Sequence, residues 1–163
     1  MVGRTIHLQI PPRNDHLALV RRVVATAAAT GDELPSRRID DLSLAVSEAC
    51  ANAIDAQRAT GNGEPVAIRI ELEEGEVTVT ITDHAGGFSP DDIDPIPSAE
   101  DPGRLGHERG LGLSLMRSLA HSVTFERTRD GTAVQIVVRR TAERGNDPEE
   151  PETGAGLAGS DTG

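Results

Sequence analysis

The chain of 163 residues contains no lysine, no tryptophan and no tyrosine, and it has a single cysteine. The missing lysine excludes a Walker-type phosphate loop, whose lysine contacts the nucleotide phosphates. The lone Cys50 excludes an intrachain disulfide and is typical of a reducing cytoplasm. Because Phe88 and Phe125 are the only aromatic residues, the core must be built from Val, Ile, Leu and Ala.

Long apolar runs are also absent from the sequence. No segment approaches the ~20 residues that a membrane-spanning helix needs, and residues 1–12 lack the apolar stretch of a signal peptide. We therefore predict a cytoplasmic protein with no membrane partner. The net charge of −11 argues against nucleic acid as the main partner, because nucleic-acid surfaces are recognised by excess positive charge.

The length is sufficient for one domain with a hydrophobic core and not for two. Residues 141–163 carry six acids and one Arg among Gly and Pro, with no apolar face. This composition predicts a disordered acidic tail that follows a folded domain of residues 1–140.

Periodicity predicts the order β-α-α-β-β-loop-α-β-β. Strand alternation covers residues 4–10, 65–73, 76–83 and a final hairpin within 123–140, and helical spacing covers residues 16–30, 36–60 and 110–122. Asn14 or Asp15 is the predicted cap of the first helix, and Ser36 that of the second. These blocks predict an α+β fold, a two-layer sandwich whose mostly antiparallel sheet of about five strands carries three helices on one face.

The second helix carries an acid and an amide one turn apart. At about 100° per residue, Glu48 and Asn52 share one side of the helix. The opposite side should pack on the sheet through Ile39, Leu42, Val46, Ala49, Cys50 and Ala53. A solvated polar face explains the pair. A metal and phosphate site explains it as well, because an amide oxygen binds a hard cation and a carboxylate can accept a proton.

Asp83 follows a strand on the face that should be buried. Val77, Val79 and Ile81 alternate toward the core, and Asp83 continues their parity. A buried carboxylate costs several kcal/mol unless a hydrogen-bond donor meets it. Either Asp83 caps the turn before Gly86, or its carboxylate accepts a hydrogen bond from the amine of a ligand.

The third helix begins with the sequence ERGLGLSLM, residues 108–116. Gly110 and Gly112 remove side chains where the first backbone N–H groups of the helix point outward, which favours phosphate binding. Arg109 lies beside them and can pair with phosphate oxygens. Two such glycines open many helices, but here they follow residues 84–109, a long acidic and proline-rich stretch without periodicity.

The order of these motifs resembles the GHKL ATPase superfamily and its Bergerat fold. EACAN (48–52), DHAGGF (83–88), a long loop and GLGL (110–113) follow one another along the chain. Within the superfamily, LAVSEACANAIDA (44–56) and RGLGLSLMRSLAHSVTFE (109–126) are similar to the small bacterial anti-sigma-factor serine kinases. The resemblance extends over residues 4–140.

The resemblance implies ATP and Mg²⁺ as cofactors and assigns roles to several residues. Asn52 would bind Mg²⁺, and Glu48 would be the base that acts on an acceptor serine. Asp83 would bind the adenine amine, and Gly87 would let the chain pass close to the base. Residues 89–109 would form a flexible lid.

The remaining implied contacts concern the phosphates and the rim of the base. Those at the phosphates come from Arg109, Gly110, Leu111 and Gly112. Arg104 is an alternative to Arg109 as the phosphate-pairing arginine, and Thr132 matches a hydroxyl near the adenine. The departure from the family pattern is Ala85, which stands where a glycine is usual, and Gly86 is expected to take over its conformational role.

In function, the resemblance implies a cytoplasmic serine/threonine protein kinase that regulates transcription. It would sequester a sigma factor and phosphorylate an antagonist protein, and a homodimer is compatible with it. One alternative is a module that binds ATP or a partner without phosphotransfer. Another alternative is the catalytic domain of a histidine kinase. The sequence disfavours it, because no helical hairpin with a phospho-acceptor precedes the predicted domain.

Overall fold

A computed structural model describes residues 3–30, 34–86 and 108–140. The strands are β1 (Arg4–Ile10), β2 (Val66–Glu73), β3 (Glu76–Thr82), β4 (Ser122–Arg127) and β5 (Thr132–Arg139). The α-helices are α1 (Leu17–Ala29), α2 (Ser36–Ala59) and α3 (Glu108–Leu119). A single 3₁₀ turn, Asn14–His16, precedes α1. The observed order of helices and strands is therefore the predicted one.

The five strands form one antiparallel sheet in the order β1-β2-β3-β5-β4. The register aligns one row of apolar residues across all five strands. That row contains Ile6, Ile70, Val79, Ile136 and Val123. Alternate residues of a strand share a face. Ile70, Val79 and Ile136 of this row are fully buried, so the helices cover the face to which the row belongs. The α+β sandwich with three helices is confirmed.

Helix α2 is the centre of the helical layer. It packs against α1 and α3 and contacts β2, β3 and β5. The side predicted to pack on the sheet is buried at Leu42, Val46, Ala49, Cys50 and Ala53. Of the predicted set, Ile39 is half-buried. Within the described ranges, no helix combines the length and the apolar character that crossing a bilayer requires.

The predicted N-caps of the two long helices are wrong. Pro35 is the N-cap of α2, and its carbonyl oxygen accepts the N–H groups of Arg38 and Ile39. Proline suits the N-cap position because its ring fixes φ, here at −68°. Pro35 is itself extended, and the first turn of α2 follows it. Asn14 and Asp15 belong to the 3₁₀ turn instead, so that His16 is the N-cap of α1, without a side-chain cap.

The C-terminal end of α2 is a Schellman motif. Gly61 has φ of 69° and donates its N–H to the carbonyl of Arg58 at 3.1 Å, and Asn62 donates to that of Gln57 at 2.9 Å. Glycine is favoured at position 61 because a side chain disfavours this left-handed conformation. The motif turns the chain back toward the sheet and leads residues 62–65 into β2.

Candidate functional site

A cavity of about 70 Å³ opens between α2, α3 and the ends of β3, β4 and β5. One wall is a stripe of small residues on α2, namely Ala49, Ala53 and Ala56. These residues recur at helical spacing, so their short side chains leave one continuous gap beside the helix. The opposite walls are apolar and consist of Leu113, Met116, Phe125 and Val134.

Three polar residues line the same cavity: Asn52, Asp83 and Thr132. They come from α2, from the end of β3 and from the start of β5, so only the folded chain brings them together. An apolar cleft with a few convergent polar groups is the usual form of a small-molecule site. The predicted site residues Asn52, Asp83 and Thr132 thus meet at one partly apolar cavity.

Asp83 is buried, with 7% of its surface exposed, as strand parity predicted. Its Oδ1 accepts the backbone N–H groups of Ala85 at 3.0 Å and Thr132 at 3.3 Å. Among the described residues, none donates a hydrogen bond to Oδ2. The carboxylate is therefore fixed through one oxygen and keeps an acceptor for a ligand at the cavity wall.

Asp83 is also tied to β5 through its backbone. Its N–H donates to the Thr132 carbonyl at 2.9 Å, which extends the β3–β5 ladder by one residue. Thr132 itself is buried, with 1% of its surface exposed. Thr132 contacts Asp83 through its peptide N–H and carbonyl groups and lines the same cavity. The role expected for its hydroxyl near an adenine stays a prediction.

The turn after Asp83 accommodates Ala85 without strain. The N–H of Ala85 points back to the Asp83 carboxylate, and the neighbouring Gly86 takes the positive φ, 84°. The N–H of Gly86 donates to the carbonyl of Asp130 at 3.0 Å. Gly86 thus has the left-handed conformation that the sequence expectation gave to it, and a methyl group at position 85 is tolerated.

Glu48 and Asn52 meet the third helix at Gly112. A Cβ at position 112 would lie 3.1 Å from Glu48 Oε2 and 3.5 Å from Asn52 Nδ2. Glycine therefore lets α3 approach the polar pair closely. Glu48 and Asn52 are half-buried, so they face a junction between two helices and not an open polar surface.

Several predicted site residues fall at or beyond the limits of the described residues. Gly87, Arg104 and residues 89–107 of the predicted lid lie outside them, whereas residues 108 and 109, also assigned to the lid, begin α3. Arg109 and Gly110 belong to the first turn of α3. Leu111 is 50% exposed and does not line the cavity.

Sequence reasoning missed the residues that shape the cavity and support Asp83. The alanine stripe beside Asn52 was a usable signal, because alanine at positions 49, 53 and 56 leaves a groove along one helix face. Gly131, directly before Thr132, carried no signal in the sequence, although a Cβ there would lie 1.9 Å from the Asp83 carbonyl oxygen. Gln57 carried no local signal, yet it is fully buried beside the Asp83 turn.

The donor set suits Mg²⁺ that is carried by a nucleotide. Within the described part of the chain, no group of three or more His, Cys, Asp and Glu side chains could hold a metal ion on its own. Mg²⁺ commonly takes one or two protein oxygens together with water and substrate phosphates. Asn52 has one such oxygen, and its Oδ1 would lie 4.0 Å from a Cβ at position 112, one turn inside α3.

Comparison with known proteins gives the family. Residues 10–138 match the histidine kinase-like ATPase domain family. The chain belongs to this family. Among histidine kinase-like ATPases, it is 31% identical to the serine-protein kinase RsbW of Bacillus subtilis (strain 168) over 148 residues, covering 85% of this chain and 88% of the relative. It is 29% identical to the anti-sigma F factor of Clostridium botulinum (strain Eklund 17B / Type B), covering 83% and 94%.

A solved structure supports the same fold for this ATPase domain. The chain of the RsbU and RsbW domains of Rv1364c from Mycobacterium tuberculosis aligns with a TM-score of 0.59 at 18% identity. The alignment covers 83% of this chain and 32% of that one. The predicted membership in the anti-sigma serine-protein kinase family of GHKL ATPases is confirmed.

Proposed function

We propose that this protein uses Mg-ATP to phosphorylate a serine or threonine of an antagonist protein and, in a second state, sequesters a sigma factor. The observation that carries the proposal is the convergence of Asn52, Asp83 and Thr132 on one cavity, with Glu48 and Gly112 in contact range at its edge. The names of the relatives, serine-protein kinase and anti-sigma factor, supply the class of acceptor and partner.

The adenine of ATP would occupy the apolar cavity. Asp83 would accept a hydrogen bond from the exocyclic amine of the base through Oδ2, while Oδ1 stays bound to Ala85 and Thr132. The wall of Leu113, Met116 and Phe125 would exclude water from the faces of the base. A base with a carbonyl oxygen in place of this amine would bring a second acceptor against the carboxylate, so the site would select adenine over 6-oxopurines.

The phosphates would lie at the N-terminal end of α3, near Asn52. The first N–H groups of a helix favour anions, and glycine at position 112 keeps this end close to Asn52 and Glu48. Mg²⁺ would neutralise charge on the phosphates when bound. Asn52 would hold the ion through its amide oxygen, with Arg109 or Arg104 pairing with phosphate oxygens.

Glu48 would act as the general base. Its carboxylate would accept the proton of the acceptor hydroxyl while the hydroxyl oxygen forms a bond to the γ-phosphorus. The bond from that phosphorus to the β–γ bridging oxygen breaks, and ADP leaves with the electron pair. This role is supported by the position of Glu48, which is half-buried beside Gly112 of α3 and is not among the residues that line the apolar cavity.

We further propose residues 1–140 as the kinase domain and residues 141–163 as a tail that the fold does not require. The cytoplasm is the compartment in which a sigma factor and ATP are both present, and the single buried Cys50 suits it.

The test is a phosphotransfer assay with γ-labelled ATP, Mg²⁺ and candidate antagonist proteins, together with sigma-factor capture by the same protein sample. We expect label on a serine or threonine of one antagonist and loss of captured sigma factor in its presence. Sigma-factor capture without any labelled antagonist would favour a binding module without phosphotransfer.

A further inference from the structure

Gln57 is an amide with no exposed surface, near the C-terminal end of α2. Its side chain joins two other segments. Nε2 donates to the carbonyl of Glu64, in the link to β2, and Oε1 accepts the N–H of His84 at 3.2 Å. A buried amide must be hydrogen-bonded, and this one uses both of its ends on backbone groups.

Asn62 completes the same arrangement from the Schellman turn. Its Nδ2 donates to the carbonyl of His84 at 2.7 Å, and its Oδ1 accepts the N–H of Glu64 at 2.8 Å. Its own N–H donates to the Gln57 carbonyl at 2.9 Å. Gln57 and Asn62 together, here called the amide clamp, therefore hold both the N–H and the carbonyl of His84.

His84 directly follows Asp83, so the amide clamp holds the two peptide groups on the C-terminal side of the candidate adenine contact. On its other side, Asp83 is held by Thr132, and Ala85 closes the turn onto Asp83 Oδ1. The carboxylate is consequently fixed between β5 and the end of α2. Without the clamp, the turn would keep its hydrogen bonds to Thr132, to Asp130 and within itself, but it would lose those to the end of α2 and the link to β2.

We propose that Gln57 and Asn62 are positioning residues that set the direction of the Asp83 carboxylate and thereby the preference for a 6-aminopurine over a 6-oxopurine nucleotide. The proposal rests on the proposed function, since it assumes that Asp83 contacts the base. A purely structural role for the clamp would change affinity for all nucleotides alike, because the phosphate end is held by other residues. A positioning role changes the ratio between bases.

The experiment measures dissociation constants for ATP and for inosine triphosphate by calorimetry on the full chain. The base of inosine triphosphate has a carbonyl oxygen where adenine has its amine. Wild type should prefer ATP, and Asp83→Asn should remove that preference. Gln57→Leu keeps the approximate volume but leaves the His84 N–H without its acceptor. We expect it to reduce the preference for ATP by about tenfold, with a smaller change for inosine triphosphate.

A second variant keeps the test decisive if Gln57→Leu does not fold. Asn62→Ala removes the side chain whose Nδ2 donates to the His84 carbonyl, and it should lower the preference for ATP as Gln57→Leu does. Ser43→Ala is the matched control, because it removes one side-chain hydrogen bond of α2, to the Ile39 carbonyl at 2.8 Å, away from the clamp.

The outcomes separate the clamp from the function on which it rests. If Gln57→Leu and Asn62→Ala weaken both nucleotides by the same factor, the clamp is structural and the proposal is overturned. If wild type and Asp83→Asn bind both nucleotides equally, Asp83 does not contact the base, and the adenine assignment fails together with the clamp. A preference that falls in the clamp variants and stays intact in Ser43→Ala supports the proposal.

Discussion

Gly131 lies against the backbone of Asp83, so that a Cβ at position 131 would be 1.9 Å from the Asp83 carbonyl oxygen and 2.8 Å from Oδ1. The contact is to backbone and to a carboxylate that is already hydrogen-bonded, so neither can move away easily. The identity of residue 131 therefore controls whether β5 can pair with the end of β3 and hold Asp83 in place.

Gly131→Ala should destabilise the protein by about 1–3 kcal/mol, the usual effect of inserting a methyl group where there is no space. Nucleotide affinity should fall as well, because Asp83 must shift. Gly63→Ala is the control, since a Cβ at position 63 meets nothing within 4 Å. Urea unfolding and ATP calorimetry measure both effects. Equal stability of the two variants would show that the β3–β5 junction adjusts freely.

Asp83→Asn should weaken ATP binding by about ten- to a hundredfold and leave the fold intact. The amide can still accept from Ala85 and Thr132 through Oδ1, but it presents a donor to the adenine amine. The lost hydrogen bond to a charged group is worth about 1.5–3 kcal/mol. Asp55→Asn, at an exposed position of α2, is the control. ATP affinity that is the same in both variants would contradict the assignment.

Substitutions of Asn52 and of Glu48 should have different effects on ATP binding and on phosphotransfer. Asn52→Ala should weaken Mg²⁺-dependent ATP binding and phosphotransfer together, because it removes the proposed metal ligand. Glu48→Ala should bind ATP nearly as wild type does and lose about 10²–10⁴-fold in transfer rate, the usual contribution of a positioned base. Single-turnover transfer and calorimetry distinguish them. A wild-type transfer rate in Glu48→Ala would exclude Glu48 as the base.

Cys50 should be unreactive in the native protein. Burial raises the pKa of its thiol from 9.0 to about 12. A thiol reagent such as dithionitrobenzoate should label Cys50 only after unfolding. Because it is the single cysteine, the labelling has one possible source.

The raised pKa of Cys50 also predicts a pH dependence of stability. The unfolded chain loses the thiol proton at a lower pH than the native protein does, so the free energy of unfolding should decrease as pH rises from 9.0 to about 12. Cys50→Ala should lack this contribution, and rapid labelling of native protein would contradict the burial.

Removing residues 141–163 should leave the melting temperature nearly unchanged. The segment has acids, Gly and Pro and almost no apolar residues, so it has little surface to bury in exchange for the entropy of ordering. Differential scanning calorimetry of the full chain and of a chain ending at Arg140 tests this. A drop of several degrees on truncation would show that the tail packs on the domain.

The sequence by itself determined the succession of helices and strands, the burial of the α2 face and the position of Asp83 on the inner side of β3. These features follow from local periodicity, since residues two apart in a strand, or three and four apart in a helix, share a face. The order of the motifs also led to the family, without any knowledge of distances.

The tertiary structure decided which distant groups touch. The fit of Gly131 on Asp83, the approach of Gly112 to Glu48 and the capture of His84 by Gln57 each join segments that are far apart in the chain. Periodicity places a residue on a face, but it contains no information about how closely two faces approach. That separation is set by the size of every side chain packed between them, which is why one missing methyl group at position 131 or 112 could be recognised as a requirement only in the folded protein.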